Sequence, residues 1–341
     1  MHDFLWLGFN QDASGGRAVD GILNYRLAQP GRTQRQHIAR WYPEFRFPFA
    51  NQVLTDPVTG KTDGRRARCT PSNTCPDNLE NEYWAKDMAV LQVDGNGKDL
   101  PDPANVRYFL MSSLPHNGGV PTTGLGICQQ NRNPLVANPV LRALLVDIDQ
   151  WVSVGAEPAE SRMPRVADGT LVPPLPQDGM GFPAIPGVVY NGRLHTGDLF
   201  DFGPQFDKGI LSILPPKLVG TPYPVLVPKT DADGNDVAGV RLPEVAAPLA
   251  TYTGWGLRAY PPGANDGCDA AGQKIDFLGT QADRLAAGDP RMSIAERYTS
   301  HDAYVAAVTD AVDQLRNERL LLDADAEAYI QAAQGSGVGE P

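Results

Sequence analysis

The chain has 341 residues and is 42% hydrophobic, enough for two lobes or for one large domain with an appendage. Its net charge of −11 argues against the basic face that a nucleic-acid partner requires, and no run of about 18 apolar residues offers a membrane span. The 35 glycines and 31 prolines are spread throughout, which predicts many turns and long loops rather than a helical bundle.

Met1, Phe4 and Leu5 stand at i, i+3 and i+4, one apolar stripe of a helix, and Gly8 supplies its stop. No capping residue stands ahead of this stripe, so the expectation is that it closes a helix whose first turns are missing and that Met1 is an internal methionine. Residues 1–10 carry neither a basic leader region nor a cleavage site. With an internal start, that leaves the compartment, including export of a full-length form, open.

Residues 19–23 are a short apolar run after a turn and read as a buried strand. Residues 29–68 are loop-rich. Within them Trp41, Tyr42, Phe45, Phe47 and Phe49 are interrupted by Pro43 and Pro48, which excludes a central strand and suits a pocket wall or a core cap. Residues 55–60 form a turn, and Arg65, Arg66 and Arg68 read as a solvated loop. Cys69 and Cys75 are spaced to close a small disulfide loop, not to hold zinc, while Cys128 and Cys268 are isolated and read as buried structural thiols.

A helix is expected to open at residues 81–84, with Trp84, Met88 and Leu91 at helical spacing, before a turn at 92–99. Residues 105–111 are the best strand: β-rich, short and bounded by turns. Residues 136–154 are the clearest amphipathic helix, started by Asn138 and Pro139, with Leu141, Leu144, Leu145, Ile148 and Trp151 marking the buried face. From about 155 to 264 the chain is rich in Pro and Gly, with short β runs. Residues 224–228 and 239–242 flank an acidic loop at 231–236 as a hairpin. The loop looks like half of a calcium loop but has no Glu at position 12, so a plain β-turn is the favoured reading. Residues 303–333 are read as helical and 335–341 as a disordered tail.

Five histidines bear on the chemistry. His2, His37, His195 and His301 lie in helical, basic, turn-rich and helix-start settings. His116 follows the best strand and sits among small residues, Pro115 before it and Asn117, Gly118 and Gly119 after. Loops at the carboxyl ends of strands in an open α/β sheet collect active groups, so His116 is the candidate general base. A base of this kind needs a carboxylate to orient its ring. Asp77, Glu80, Glu82 and Asp87 are available, and Glu82 is singled out because Tyr83 and Trp84 could shield it; the competing reading is an acid that favours a helix N-terminus. No Gly-x-Ser-x-Gly occurs, and Ser112 and Ser113 are too close to His116 in sequence to form an independent elbow. No cofactor or metal ligand set is found.

Taken in order, these residues resemble a bacterial group of the α/β-hydrolase superfamily, the alpha/beta hydrolase domain proteins, over almost the whole chain. The resemblance rests on Leu7, Gly8, Phe9, Asn10, Asp12, Asp20 and Gly21; on residues 26–30; on Phe47, Pro48 and Phe49 followed by Asp56, Pro57, Thr59 and Gly60; and on Glu82, Tyr83, Trp84 and His116. It continues through Asn138 and Pro139 with residues 142–145, residues 161–164, residues 248–255 and residues 289–298. The resemblance implies a Ser-acid-His order, in which Glu82 takes the place of the acid and His116 that of the base, while the serine elbow would immediately precede the helix ending at Gly8 and the oxyanion hole would use the backbone N–H after that serine plus one from an earlier loop. It further implies a partial sheet, the last three strands of eight with their helices, in residues 1–154. A Pro/Gly-rich extension with short β-strands and a terminal helix follows in 155–334, then the tail. The expected activity is that of a serine esterase on a small-molecule ester, with this chain lacking its nucleophile and needing its N-terminal half for solubility. The competing reading is a non-catalytic exported binding or scaffold module with a weak calcium loop at 231–236.

Overall fold

The computed structural model describes residues 21–25, 50, 52–58, 60–63, 73–79, 83–84, 88–103, 106–116, 121, 123–192, 200–205, 210, 212–220, 223–261, 263–268 and 271–340. In chain order these form β1 (Gly21–Tyr25), β2 (Leu54–Thr55), β3 (Thr62–Asp63), β4 (Asn73–Leu79) and β5 (Phe109–Met111), then α1 (Asn138–Val154), β6 (Leu171–Val172), α2 (Gln177–Met180), β7 (Phe200–Asp201) and β8 (Lys217–Leu218). There follow β9 (Val227–Pro228), α3 (Pro243–Ala246), β10 (Ala250–Thr253), β11 (Gln273–Asp276), α4 (Gln281–Ala287), α5 (Ile294–Arg297), α6 (His301–Asn317) and α7 (Asp323–Gln334).

The organising element is a parallel sheet in the order β1-β4-β5. β1 runs against β4 from Gly21↔Asn73 to Tyr25↔Asp77, and β4 against β5 from Asp77↔Phe109 to Leu79↔Met111. On its far side β5 is bridged in parallel by Arg162 at Phe109 and by Val240 at Met111, so it has backbone partners on both sides. Its side chains alternate between two cores: Phe109 and Met111 join one, Tyr108 and Leu110 the other. A strand buried on both faces needs an unbroken apolar run, which is what residues 108–111 supply. The remaining strands pair antiparallel in twos: β2 with β3, β6 with β9, β7 with β8 and β10 with β11.

The first core joins β5 to α1, α3, α6 and α7; the second holds Tyr83, Trp84, Phe182 and Trp255. α1 begins with Pro139 in its first turn and ends at Gly155, φ 73°, where a left-handed stop suits glycine. Its buried face is rotated from the expected one. Leu144 and Ile148 are buried as expected, but Val140, Ala143 and Asp147 join them, while Leu141, Leu145 and Trp151 are half-buried. Asp147 tolerates that position because the Arg319 guanidinium reaches its Oδ1 at 2.5 Å.

Several expectations are corrected. The single helix at 303–333 is two helices, α6 and α7, separated at Arg319 (φ 63°), with Leu320 and Leu321 turned into the core. Arg319 is held there by Asp147, by Gln150 Oε1 at 2.7 Å and by the Glu157 carbonyl at 2.8 Å. The segment from Gly335, expected as a disordered tail, folds back on the start of α6. The His301 ring nitrogens lie 3.0 Å from the Val338 carbonyl and 3.2 Å from that of Gln334. Cys128 and Cys268 are not free thiols but a disulfide, closed across 140 residues. The 231–236 turn is closed as a short hairpin by the antiparallel Thr230↔Asp236 bridge and by the Val237 N–H donating to the Lys229 carbonyl (3.0 Å), but residues 224–228 and 239–242 do not continue that pairing. β9 pairs with β6, and Val240 with Met111, because burial beside β5 outweighs local pairing. Cys69 lies outside the described residues, so the Cys69–Cys75 loop does too.

Candidate active site

Parallel strands end on the same side of a sheet. The Leu79↔Met111 register therefore brings the chain out of β4 and out of β5 at one edge, where the loops of an open α/β sheet carry chemistry. His116 is the fifth residue beyond Met111, and it is half-buried. Glu82 is the third residue beyond Leu79 and lies outside the described residues, as do His2, His37, His195 and the aromatic group Trp41, Tyr42, Phe45, Phe47 and Phe49.

The turn between β5 and His116 is rigid for reasons that can be named. Ser112, Ser113, Leu114 and Pro115 are all buried. Ser112 N–H donates to the Val240 carbonyl (3.1 Å) and its hydroxyl to that of Ala238 (2.6 Å). Ser113 sits at φ 61°, a left-handed conformation that costs a non-glycine residue on the order of 1 kcal/mol. It is held by a reciprocal pair: its N–H donates to Asp236 Oδ2 (2.8 Å), and its Oγ accepts the Asp236 N–H (2.9 Å). Its carbonyl accepts from Asn133 Nδ2 (2.7 Å), and the same amide nitrogen reaches the Thr253 carbonyl (3.0 Å). Both serine hydroxyls are thus engaged inside the fold, unlike a nucleophile, which must face solvent and substrate.

Asp236 is fully buried. Burial pushes its carboxyl up to about 7; the Ser113 N–H and Arg241 oppose the shift, and Asp231 adds to it. Its Oδ1 is buried without a hydrogen-bond partner among the described residues.

On the β4 side, Tyr83 and Trp84 are both buried. Tyr83 donates to Gln92 Oε1 (3.0 Å), and Gln92 Nε2 donates to the Pro164 carbonyl (2.6 Å). Burial raises the Tyr83 phenol well above its ordinary value; Arg165 opposes this, and the Asp236 charge adds to it. Asp236 therefore acts electrostatically on the residue next to Glu82 while it is hydrogen-bonded to the turn before His116. Trp84 packs on Trp255 (ring centroids 5.2 Å apart) and edge-on to Tyr190 (6.0 Å), with Phe182 5.3 Å from Trp255. Such aromatic contacts fix the chain leaving the Glu82 position.

The acidic loop at 231–236 is occupied by the protein itself. Asp231 Oδ1 accepts the N–H groups of Asp233 and Asn235 and its Oδ2 meets Arg241 at 3.0 Å, while Asp233 meets Arg297 at 2.5 Å. Asn235 caps the Ala250 carbonyl and the Tyr252 N–H, and Asp236 holds Ser113. These commitments turn the carboxylates inward and disfavour the calcium reading. Among the described residues no group of three His, Cys, Asp or Glu side chains could hold a metal ion.

Sequence reasoning placed His116 but missed Ser113, Asn133 and Asp236. No local signal marks them: Asp236 lies 123 residues from Ser113, in a segment whose composition says only turn.

A family model described as alpha/beta hydrolase domain matches residues 4–331. No curated protein and no solved structure matches the chain.

Proposed function

Because the chain belongs to the alpha/beta hydrolase domain family, we propose that it serves a serine-type ester hydrolase, with His116 as general base and Glu82 as the carboxylate that orients the imidazole. The observation that carries this reading is the parallel pairing of β4 with β5. It sends both loops out at one edge, with a half-buried imidazole on a turn that hydrogen bonds make rigid. The chain order of acid then base, each after its own strand, is the order this superfamily uses. No Gly-x-Ser-x-Gly stands in residues 1–341, and Ser112 and Ser113 are buried and engaged, so the reading assigns the nucleophile to an elbow ahead of β1 and upstream of Met1.

In this mechanism the serine Oγ attacks the ester carbonyl carbon as His116 takes its proton, and the negative oxygen of the tetrahedral intermediate rests on backbone N–H donors. The intermediate collapses, the C–O bond to the alcohol breaks, and His116 returns the proton to the leaving oxygen. Water repeats the sequence on the acyl-enzyme and releases the acid. Glu82 stays ionised throughout, holding the tautomer that receives the proton at the nitrogen facing serine.

The test is hydrolysis of p-nitrophenyl acetate and butyrate by this chain and by a form extended upstream in its reading frame. Turnover in the extended form alone, lost by about 10³-fold or more in His116→Ala and in Glu82→Gln, is the expected result. Turnover by the 341-residue chain with a fluorophosphonate attached inside it, or full activity in His116→Ala, would overturn the assignment.

A further inference from the structure

We propose that Asp236 is the positioning residue for the His116 base. It clamps Ser113 in the left-handed conformation, and that conformation sets the direction in which the chain delivers the imidazole to the sheet edge. The inference rests on the reading of His116 given above.

The argument starts from Ser113. A serine in this conformation relaxes to negative φ unless its surroundings hold it, since its Cβ then crowds the following carbonyl. The two hydrogen bonds with Asp236 form a closed ring, N–H to carboxylate one way and N–H to hydroxyl the other. The ring uses the side-chain and backbone groups of both residues, so it fixes the Ser113 backbone and not merely its side chain. Asn133 adds a third tie, from Ser113 to Thr253 on β10. A change of sign in φ at Ser113 would swing every later atom, and His116 is only three residues on.

The location of Asp236 explains why an acid is present in a fully buried position. One oxygen is satisfied by Ser113, and the other has no partner among the described residues. Four groups face it: Ser113, Arg241, Asp231 and the Tyr83 phenol. A carboxyl with one bonded and one unbonded oxygen, in an environment that pushes it up to about 7, has a site for a proton on the unbonded Oδ1. Asparagine reproduces that protonated form: its amide oxygen takes the Ser113 N–H and its NH₂ occupies the place of the protonated oxygen. Alanine removes the acceptor and leaves the Ser113 N–H buried and unpaired, which carries its own cost.

The experiment compares Asp236→Ala with Asp236→Asn in the catalytically competent form, next to His116→Ala and to Val312→Ala, a truncation on α6 in the first core. Since a misplacement of about 1 Å costs about 10²-fold, Asp236→Ala is expected to lower kcat by about that factor with KM changed less than about threefold. Asp236→Asn is expected to recover kcat to within about fivefold. Val312→Ala is expected to lower the melting temperature while leaving kcat per folded molecule intact. A second readout needs no turnover: the His116 ring resonances of the 341-residue chain, assigned with His116→Ala, should move in Asp236→Ala and stay in place in Asp236→Asn. If Asp236→Ala folds and leaves both kcat and the His116 resonances unchanged, the inference is overturned although His116 remains the base. If His116→Ala keeps full activity, the base assignment fails, and the resonances still decide whether Asp236 positions this residue.

Discussion

Opening the Cys128–Cys268 disulfide is the perturbation whose effect follows most directly from the fold. The bond closes a loop of 140 residues that spans α1, β6–β10 and the whole segment from Cys128 to Cys268. In the chain-entropy treatment, cross-linking over that length removes about 17 cal/mol/K from the unfolded chain, or about 5 kcal/mol at 25 °C. The native side loses little, because the two segments stay joined without the sulfurs. Gln129 N–H donates to the Leu257 carbonyl (2.8 Å), Ala259 N–H to Ile127 (3.0 Å), Lys274 N–H to Asn131 (2.7 Å) and Cys268 N–H to Gly256 (2.8 Å). For 341 residues the unfolding entropy near the midpoint is about 0.7 kcal/mol/K, so the Cys128→Ser/Cys268→Ser protein should melt about 7 °C lower. Differential scanning calorimetry of this double variant against the oxidised protein measures the shift. The protein has four cysteines, so thiol titration in non-reducing denaturant should find no more than two. Four titratable thiols, or a confirmed loss of the bond with a melting change under about 2 °C, would refute the reasoning.

Two further predictions follow from buried groups and close approach. Asp236 and Glu244 are both raised to about 7, chiefly by burial, whereas in the unfolded chain each ionises near its ordinary value. Asp236 faces Arg241, Asp231, Ser113 and Tyr83; Glu244 faces Tyr329, Tyr252 and Tyr304. A raised folded value means their share of stability is present at acid pH and is lost as pH rises from about 4 to about 7, on the order of 3 kcal/mol per group. Melting temperatures from pH 5 to pH 8 should therefore fall and then level off, and the Asp236→Asn/Glu244→Gln double variant should flatten the slope; a flat wild-type profile would contradict the burial argument. Asp289 and Glu296 are lowered and act in the opposite sense, at pH below their ordinary values. Gly239 has φ 97°, and a Cβ there would stand 2.6 Å from the Leu110 carbonyl and 2.6 Å from Ser112 Oγ. Gly239→Ala should cost about 3 kcal/mol or more by urea unfolding, and a loss under about 1 kcal/mol would mean that the Val240 bridge to Met111 is looser than described.

The elements legible in the sequence are those whose cause is local. The β-rich run at 105–111 bounded by turns announces a strand, which the fold forms at Phe109–Met111, α1 starts at Asn138 and Pro139, and His116 is seen to follow a strand end from the sequence alone. β4 was not legible by propensity: Asn73, Pro76, Asp77 and Asn78 argue against a central strand, and the resemblance implied three sheet strands in residues 1–154 without giving this one its range.

Tertiary structure decided the rest because the causes lie far apart along the chain. The rotation of α1 and the break at Arg319 meet at one contact, a guanidinium that reaches Oδ1 of a buried Asp147 from 172 positions away, and helical periodicity contains no trace of it. Cys128 and Cys268 have no spacing signature at a separation of 140. Ser113 and Asp236, 123 residues apart, read as an ordinary strand end and an ordinary acidic turn until the fold joins them. The sequence by itself determined that His116 stands just past a strand end, since a strand and the loop after it need only neighbouring residues. What holds the turn before His116 was decided by hydrogen bonds between distant segments, from Asp236 and Asn133 to Ser113, which exist only once the chain has closed on itself.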